Sequence, residues 1–282
     1  MMKKTFFIFT ALTLAQPVTA SAQTMVQCMM ARNQGMIIPA CNKILGLSTE
    51  PAKAPEDNGG LHLKQVIEYK APSNSVGQAS ILGLTLGMSL EDARKIMTAH
   101  CEGEPHQSNT FLTVVHKGVQ VKTQFFPMQL GCLIKGDGLR VTFSPPVSGN
   151  VITKIERTVS YPADASPSFT GLKADLAEKY NIHLMKNDTQ DIIYSLEDGS
   201  ISERPEGSLL VPTRKNPDYA PTAQAYIFVN IRSVSGNPEN VSYMEIFLED
   251  TGAENRLNDE VIKQMNAFVD DKLSTNTVKA TL

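Results

Sequence analysis

The chain has 282 residues, a formal net charge of −3, 41% hydrophobic and 20% charged residues, a globular balance that excludes a disordered or collagenous polymer. It has no Trp and only 6% aromatic residues, which argues against a stacking platform for single-stranded nucleic acid. A slightly acidic charge likewise argues against a protein that binds a phosphate backbone.

The first residues read as a secretory leader. Met1-Met2-Lys3-Lys4 is a short basic start, and the segment from Thr5 to Ala15 is apolar. Gln16-Pro17 breaks that segment, and Ala20-Ser21-Ala22 is a small-residue cleavage site. The apolar run is too short to span a membrane, and no later run reaches 18 residues, so an unanchored, soluble, periplasmic or secreted chain is expected. Cleavage near Ala22 removes two lysines and no acid, taking the net charge from −3 to −5. Four cysteines remain, an even number that in an exported chain reads as disulfides. Of the three possible connectivities, Cys28–Cys41 with Cys101–Cys132 keeps each bridge inside one local unit.

Residues 23–47 read as a small helical unit pinned by Cys28–Cys41, and 48–80 as a Pro- and Gly-punctuated linker, with His62 to Tyr69 a possible strand. Residues 81–161 form a first α+β module. Ser89 and Asp92 make an N-cap box, and Leu90, Ala93, Ile96 and Met97 follow at helical spacing, with His100 in the last turn. Alternating stretches follow from Phe111 to Val115, from Val119 to Phe125 and from Leu139 to Phe143. In the strand Val151 to Tyr161, Ile152 is the one strong hydrophobe on the opposite side.

Residues 162–273 repeat the order. Ser166-Pro167 starts a helix striped by Phe169, Leu172, Leu176 and Tyr180, and Asn181 ends it in a left-handed conformation. Strands are expected at Ile192 to Leu196, Ala225 to Ile231 and Val241 to Leu248, then a helix from Asn255 to Leu273 and a frayed tail over 274–282. Short turns between strands predict antiparallel pairing with helices on one face, an α+β fold of two helix-then-sheet modules in tandem.

The segment Leu84-Thr85-Leu86-Gly87-Met88-Ser89-Leu90-Glu91-Asp92-Ala93 resembles the helix start of two groups of exported bacterial proteins built from such modules. One is the small lipoprotein of the outer-membrane β-barrel assembly machine, and the other is the secreted β-lactamase inhibitory proteins. The helix end Leu176-Ala177-Glu178-Lys179-Tyr180-Asn181 is similar to that of other exported proteins, with Asn181 where they carry Gly. The resemblance implies a non-enzymatic binding module of the envelope.

Nucleophile elbows, zinc-protease helices, P-loops and dinucleotide fingerprints are all missing from the sequence. The densest polar cluster is His100, Glu102, Glu104 and His106, with a spacing that could hold Zn²⁺ in a loop and drive a metal-dependent periplasmic hydrolase. Arg157 interrupts the apolar face of its strand, so it must pair internally or recognise a ligand. The Pro-stiffened loop carrying Arg214, Lys215 and Tyr219 has residue types favoured at contacts. The reading that follows is an exported non-enzymatic binding or envelope-maintenance protein with a protein or glycan partner, no cofactor and no nucleic acid. Export of the full chain is expected to yield a mature N-terminus at Gln23. Intact-mass and N-terminal analysis of the exported protein checks it, and retention of Met1 to Ala22 would refute cleavage.

Overall fold

Local signals place the elements, and strand alternation assembles them. The structure, a computed structural model, describes residues 59–181, 190–196, 198–203 and 223–280, all within a unit spanning Glu50–Leu282. The leader, the 23–47 unit, the Cys28–Cys41 pairing and the loop residues Arg214, Lys215 and Tyr219 lie outside the described residues.

A short ribbon, β1 (Ser80–Ile81) and β2 (Leu84–Thr85), leads into α1 (Leu90–His100). Ser89 caps α1, its hydroxyl oxygen accepting from the Asp92 amide at 3.2 Å. There follow β3 (His106–Thr110), the hairpin β4 (Thr113–His116) and β5 (Val119–Lys122), β6 (Phe126–Ile134), β7 (Asp137–Phe143), a 3₁₀ turn at Pro146–Ser148, and β8 (Ile152–Ser160). The second half contains α2 (Phe169–Tyr180), β9 (Gln190–Leu196), β10 (Ile201–Glu203), β11 (Ala223–Val234), β12 (Asn237–Asp250) and α3 (Thr251–Ala280). The cap of α2 is Ser168, two residues after the expected Ser166, and Asn181 ends the helix at φ 56°.

Eight strands form one antiparallel sheet in the order β10-β9-β11-β12-β8-β7-β6-β3. The fold is therefore α+β with a large antiparallel sheet and few helices. On one face, Leu139, Val141, Ile155, Ile227, Ile246 and Leu248 are at most 2% exposed and pack with Ala93 and Met97 of α1 and Leu176 of α2. Burying such side chains stabilises by about 1.5–3 kcal/mol each. α3 builds a second cluster, in which Leu257, Val261 and Met265 pack with Leu63, Val121 and Val147.

Four sequence expectations change. Ile152 is fully buried because a register shift between Thr142 and Phe143 puts Thr153 in a bulge and turns Ile152 into the core. The strands β3 and β6 were not foreseen: β3 is polar, and β6 carries Pro127 and Gly131. The described part of the 48–80 segment is an ordered strap without the expected strand. Leu63 is 4% exposed, and the Lys64 amide and carbonyl bond the Gln264 side chain at 3.0 and 2.9 Å. Finally, α3 starts at Thr251 and continues to Ala280 instead of fraying after Leu273, since residues 274–280 contain neither Gly nor Pro.

Cys101, at the C-terminus of α1, is bonded to Cys132 of β6, closing a loop of sequence separation 31. Chain-entropy reasoning gives such a loop about 3–4 kcal/mol. Replacing both cysteines with serine is expected to lower unfolding stability by that amount, read from urea midpoints of the mature protein. An unchanged midpoint would refute a structural role.

Candidate functional site

Two residues singled out in the sequence, His100 and Arg157, meet on a third, Asp137. Arg157 lies on the helix-covered face of β8, with Leu139 and Ile246 as its cross-strand partners. Asp137 opens β7 opposite Val159, one pair along, which is diagonal reach for a long side chain. The guanidinium donates to both carboxylate oxygens, Nε to Oδ1 at 3.0 Å and Nη2 to Oδ2 at 2.7 Å. Those hydrogen bonds push the Arg157 pKa above its ordinary value, against the opposing effect of burial. His100 Nε2 is buried 3.7 Å from Asp137 Oδ2, with no hydrogen-bond partner among the described residues. Tyr161 stands close enough for its charge state to be felt by Arg157, and its own pKa is raised mainly by burial. Arg157 is thus paired within the fold.

The other members of the His100–His106 cluster do not converge. Glu102 pairs with Lys135 at 3.5 Å and Glu104 with Arg94 at 3.3 Å. His106 is opposite Gly131, whose next neighbour is Arg140, so it faces away from α1 and His100. Burial holds its pKa below the usual imidazole value. Among the described residues no three His, Cys, Asp or Glu side chains gather as metal ligands.

Two open clefts lie among the described residues. One, of about 500 Å³, has Glu68, Lys70 and Arg256 in its lining, beside Tyr69. The nearby Asp250 carboxylate is already engaged, accepting from the Tyr69 hydroxyl at 2.8 Å and capping α3 through the Ala253 amide at 2.7 Å. Burial is the main cause raising its pKa, which those hydrogen bonds oppose.

The second cleft, of about 400 Å³, is chemically different and was not legible in the sequence. Three segments meet there: the strap from Leu61 to Gln65, the connection from Gln124 to Pro127, and the turn from Pro146 to Asn150. Leu61 is tied on both sides, its amide to the Lys122 carbonyl at 2.8 Å and its carbonyl to the Gln124 amide at 2.9 Å. Gly60 permits that approach, because a Cβ there would stand 2.2 Å from the Thr123 carbonyl oxygen. At the turn, Gly149 and Asn150 both have left-handed backbone, φ 90° and 54°. A Cβ on Gly149 would lie 3.0 Å from the Gln65 amide nitrogen. The polar lining is His62, Gln65, Gln124 and Asn150, and His62 Nδ1 is 2.9 Å from Gln124 Oε1. Asn150 Oδ1 is buried without a hydrogen-bond partner among the described residues.

Phe125 lines this cleft and is 37% exposed. Phe111, 44% exposed, meets its ring edge-on, with centroids 5.3 Å apart and planes at 86°. The pair arises from topology: Phe111 follows β3 and Phe125 precedes β6, and these strands run antiparallel at the sheet edge. Met128, the extra residue where the β3–β6 register shifts, is also exposed. Compared with family models, curated proteins and solved structures, the chain matches none.

The Arg157–Asp137 pair is structural on this geometry. Asp137→Asn leaves a half-buried guanidinium uncompensated and is expected to cost about 1–3 kcal/mol. Removing both charges as Asp137→Leu with Arg157→Met is expected to recover most of that loss. Denaturant unfolding of the single and double variants checks it, and an additive double variant would refute the coupling.

Proposed function

We propose that this chain is an exported, non-enzymatic binding or envelope-maintenance protein that recognises a protein or glycan partner. The leader pattern at Met1 to Ala22 and the Cys101–Cys132 bridge support an oxidising destination outside the cytoplasm. Among the described residues, no helix is long and apolar enough to cross a membrane. The order helix then antiparallel strands occurs twice, and we read it as two modules in tandem, akin to the exported binding modules that the Leu84 to Ala93 segment resembles.

One observation carries the binding reading: the exposed Phe111–Phe125 pair at the sheet edge, beside an open cleft. Large apolar rings held in fixed orientation in water mark contact surfaces, because their desolvation favours a partner at low entropic cost. On this reading the contact lies at Phe111 and Phe125.

The test is capture from a native envelope extract by the mature protein and by a Phe111→Ser, Phe125→Ser variant with an unchanged circular dichroism spectrum. Material retained by the first and lost by the second, whether protein or carbohydrate, supports the reading. Equal retention by both overturns it.

A further inference from the structure

The two clefts differ in charge, and the difference selects a ligand class. No Asp, Glu, Lys or Arg side chain is in the described lining of the 400 Å³ cleft. A phosphate or carboxylate entering it would lose hydration without meeting a counter-charge. Its polar groups are amides and one imidazole, which both donate and accept.

At Leu61, Pro127 and Pro146 the backbone is closed to strand addition. An extended peptide that adds to a sheet needs free amides and carbonyls along the cleft wall. Leu61 has both groups bonded across to Lys122 and Gln124. Pro127 and Pro146, in the other walls, have no amide hydrogen. The neutral side-chain amides of Gln65 and Asn150 suit a ligand carrying neutral hydroxyls.

The apolar side fits the same class. Phe125 presents an exposed ring to the cleft, and the edge-on contact with Phe111 orients that ring before any ligand arrives. Preorganisation of this kind lowers the entropic cost of stacking the C–H face of a sugar ring. At about 400 Å³ the cleft falls within the ordinary range of small-ligand sites, roughly 300–1,000 Å³. The remaining unexplained feature is Asn150, placed by two successive left-handed residues with its carbonyl oxygen unsatisfied. Buried polar atoms are rarely left so.

We infer that this cleft binds a neutral saccharide, with one sugar ring stacked on Phe125 and its hydroxyls held by the amides of Gln65 and Asn150. Engagement of Asn150 turns its amide about the last side-chain torsion, giving the unsatisfied oxygen a hydroxyl donor. The inference rests on the binding reading above and narrows its partner to a glycan.

The experiment is NMR titration of the intact, isotope-labelled mature protein with neutral oligosaccharides of glucose, galactose, mannose and N-acetylglucosamine, and in parallel with an oligoproline peptide. At least one saccharide is expected to move the side-chain amide signals of Gln65 and Asn150. Phe125→Ala is expected to weaken that binding about tenfold, as loss of one stacking contact does. Gln65→Ala, at an exposed strap position, is expected to weaken it several-fold. Overturning results are no shift from any saccharide, equal affinity in Phe125→Ala and Gln65→Ala, or shifts produced by oligoproline alone. Any of these, with envelope capture still dependent on Phe111 and Phe125, removes the saccharide and leaves the binding reading standing. Capture indifferent to both rings removes the binding reading itself.

Discussion

The pairing of β8 with β12 is the constraint on which the rest of the structure depends. Each strand ends its own half of the chain, and their antiparallel register, from Tyr243 opposite Ser160 to Glu249 opposite Lys154, joins two sets of strands into one sheet. Side chains alternate along both strands, so this register decides which residues lie beneath α1 and α2. A slip of one residue would carry Ile155, Ile246 and Leu248 out of the core and Lys154, Glu156 and Glu249 into it. The charges on the far face reinforce the correct register: Lys154 pairs with its opposite neighbour Glu249 at 3.0 Å, and Arg140 with Glu156. The Tyr226 hydroxyl adds a 2.7 Å hydrogen bond to Glu249.

Arg157 is the exception that tests this arrangement. It lies in register with Ile246 and Leu139 on the apolar side, where an unpaired guanidinium would oppose folding. Asp137 answers it from one pair along β7, at the rim where both side chains keep about a quarter of their surface in water. The Cys101–Cys132 bridge holds the end of α1 against β6, and so delivers His100 to the same rim. A motif read as a metal loop is in fact divided by the sheet, with His100 on the helix side and His106 on the other. Spacing in sequence could not reveal that division, because it depends on how β3 pairs with β6.

What was legible followed local chemistry. The Ser89 cap, the Asn181 terminus and the long alternations of β8, β11 and β12 are each decided by neighbours within a few residues. What was not legible depends on distant partners. β6 contains Pro127 and Gly131, which read as breakers; Pro127 is accommodated beside a register shift near the sheet edge, and Gly131 faces Arg140 across the ladder. β3, with the sequence His106-Gln107-Ser108-Asn109-Thr110, has no hydrophobic alternation, and pairing with β6 makes it a strand. The strap reads as a linker because its Pro and Gly content is high, yet Leu63 and Val76 are almost wholly buried.

The candidate site shows the same limit in its strongest form. Leu61 to Gln65, Gln124 to Pro127 and Pro146 to Asn150 carry no shared motif, and none contains a charge-bearing cluster that would draw notice. Each is short because it joins or crosses regular elements, and each ends where the backbone is already bonded to a neighbour. Such segments cannot collapse onto one another: the prolines fix their direction, and the Leu61 and Val147 contacts fix their separation. A gap therefore remains between three well-anchored walls, lined by whatever side chains those walls present. Here they present amides and an oriented Phe125 ring.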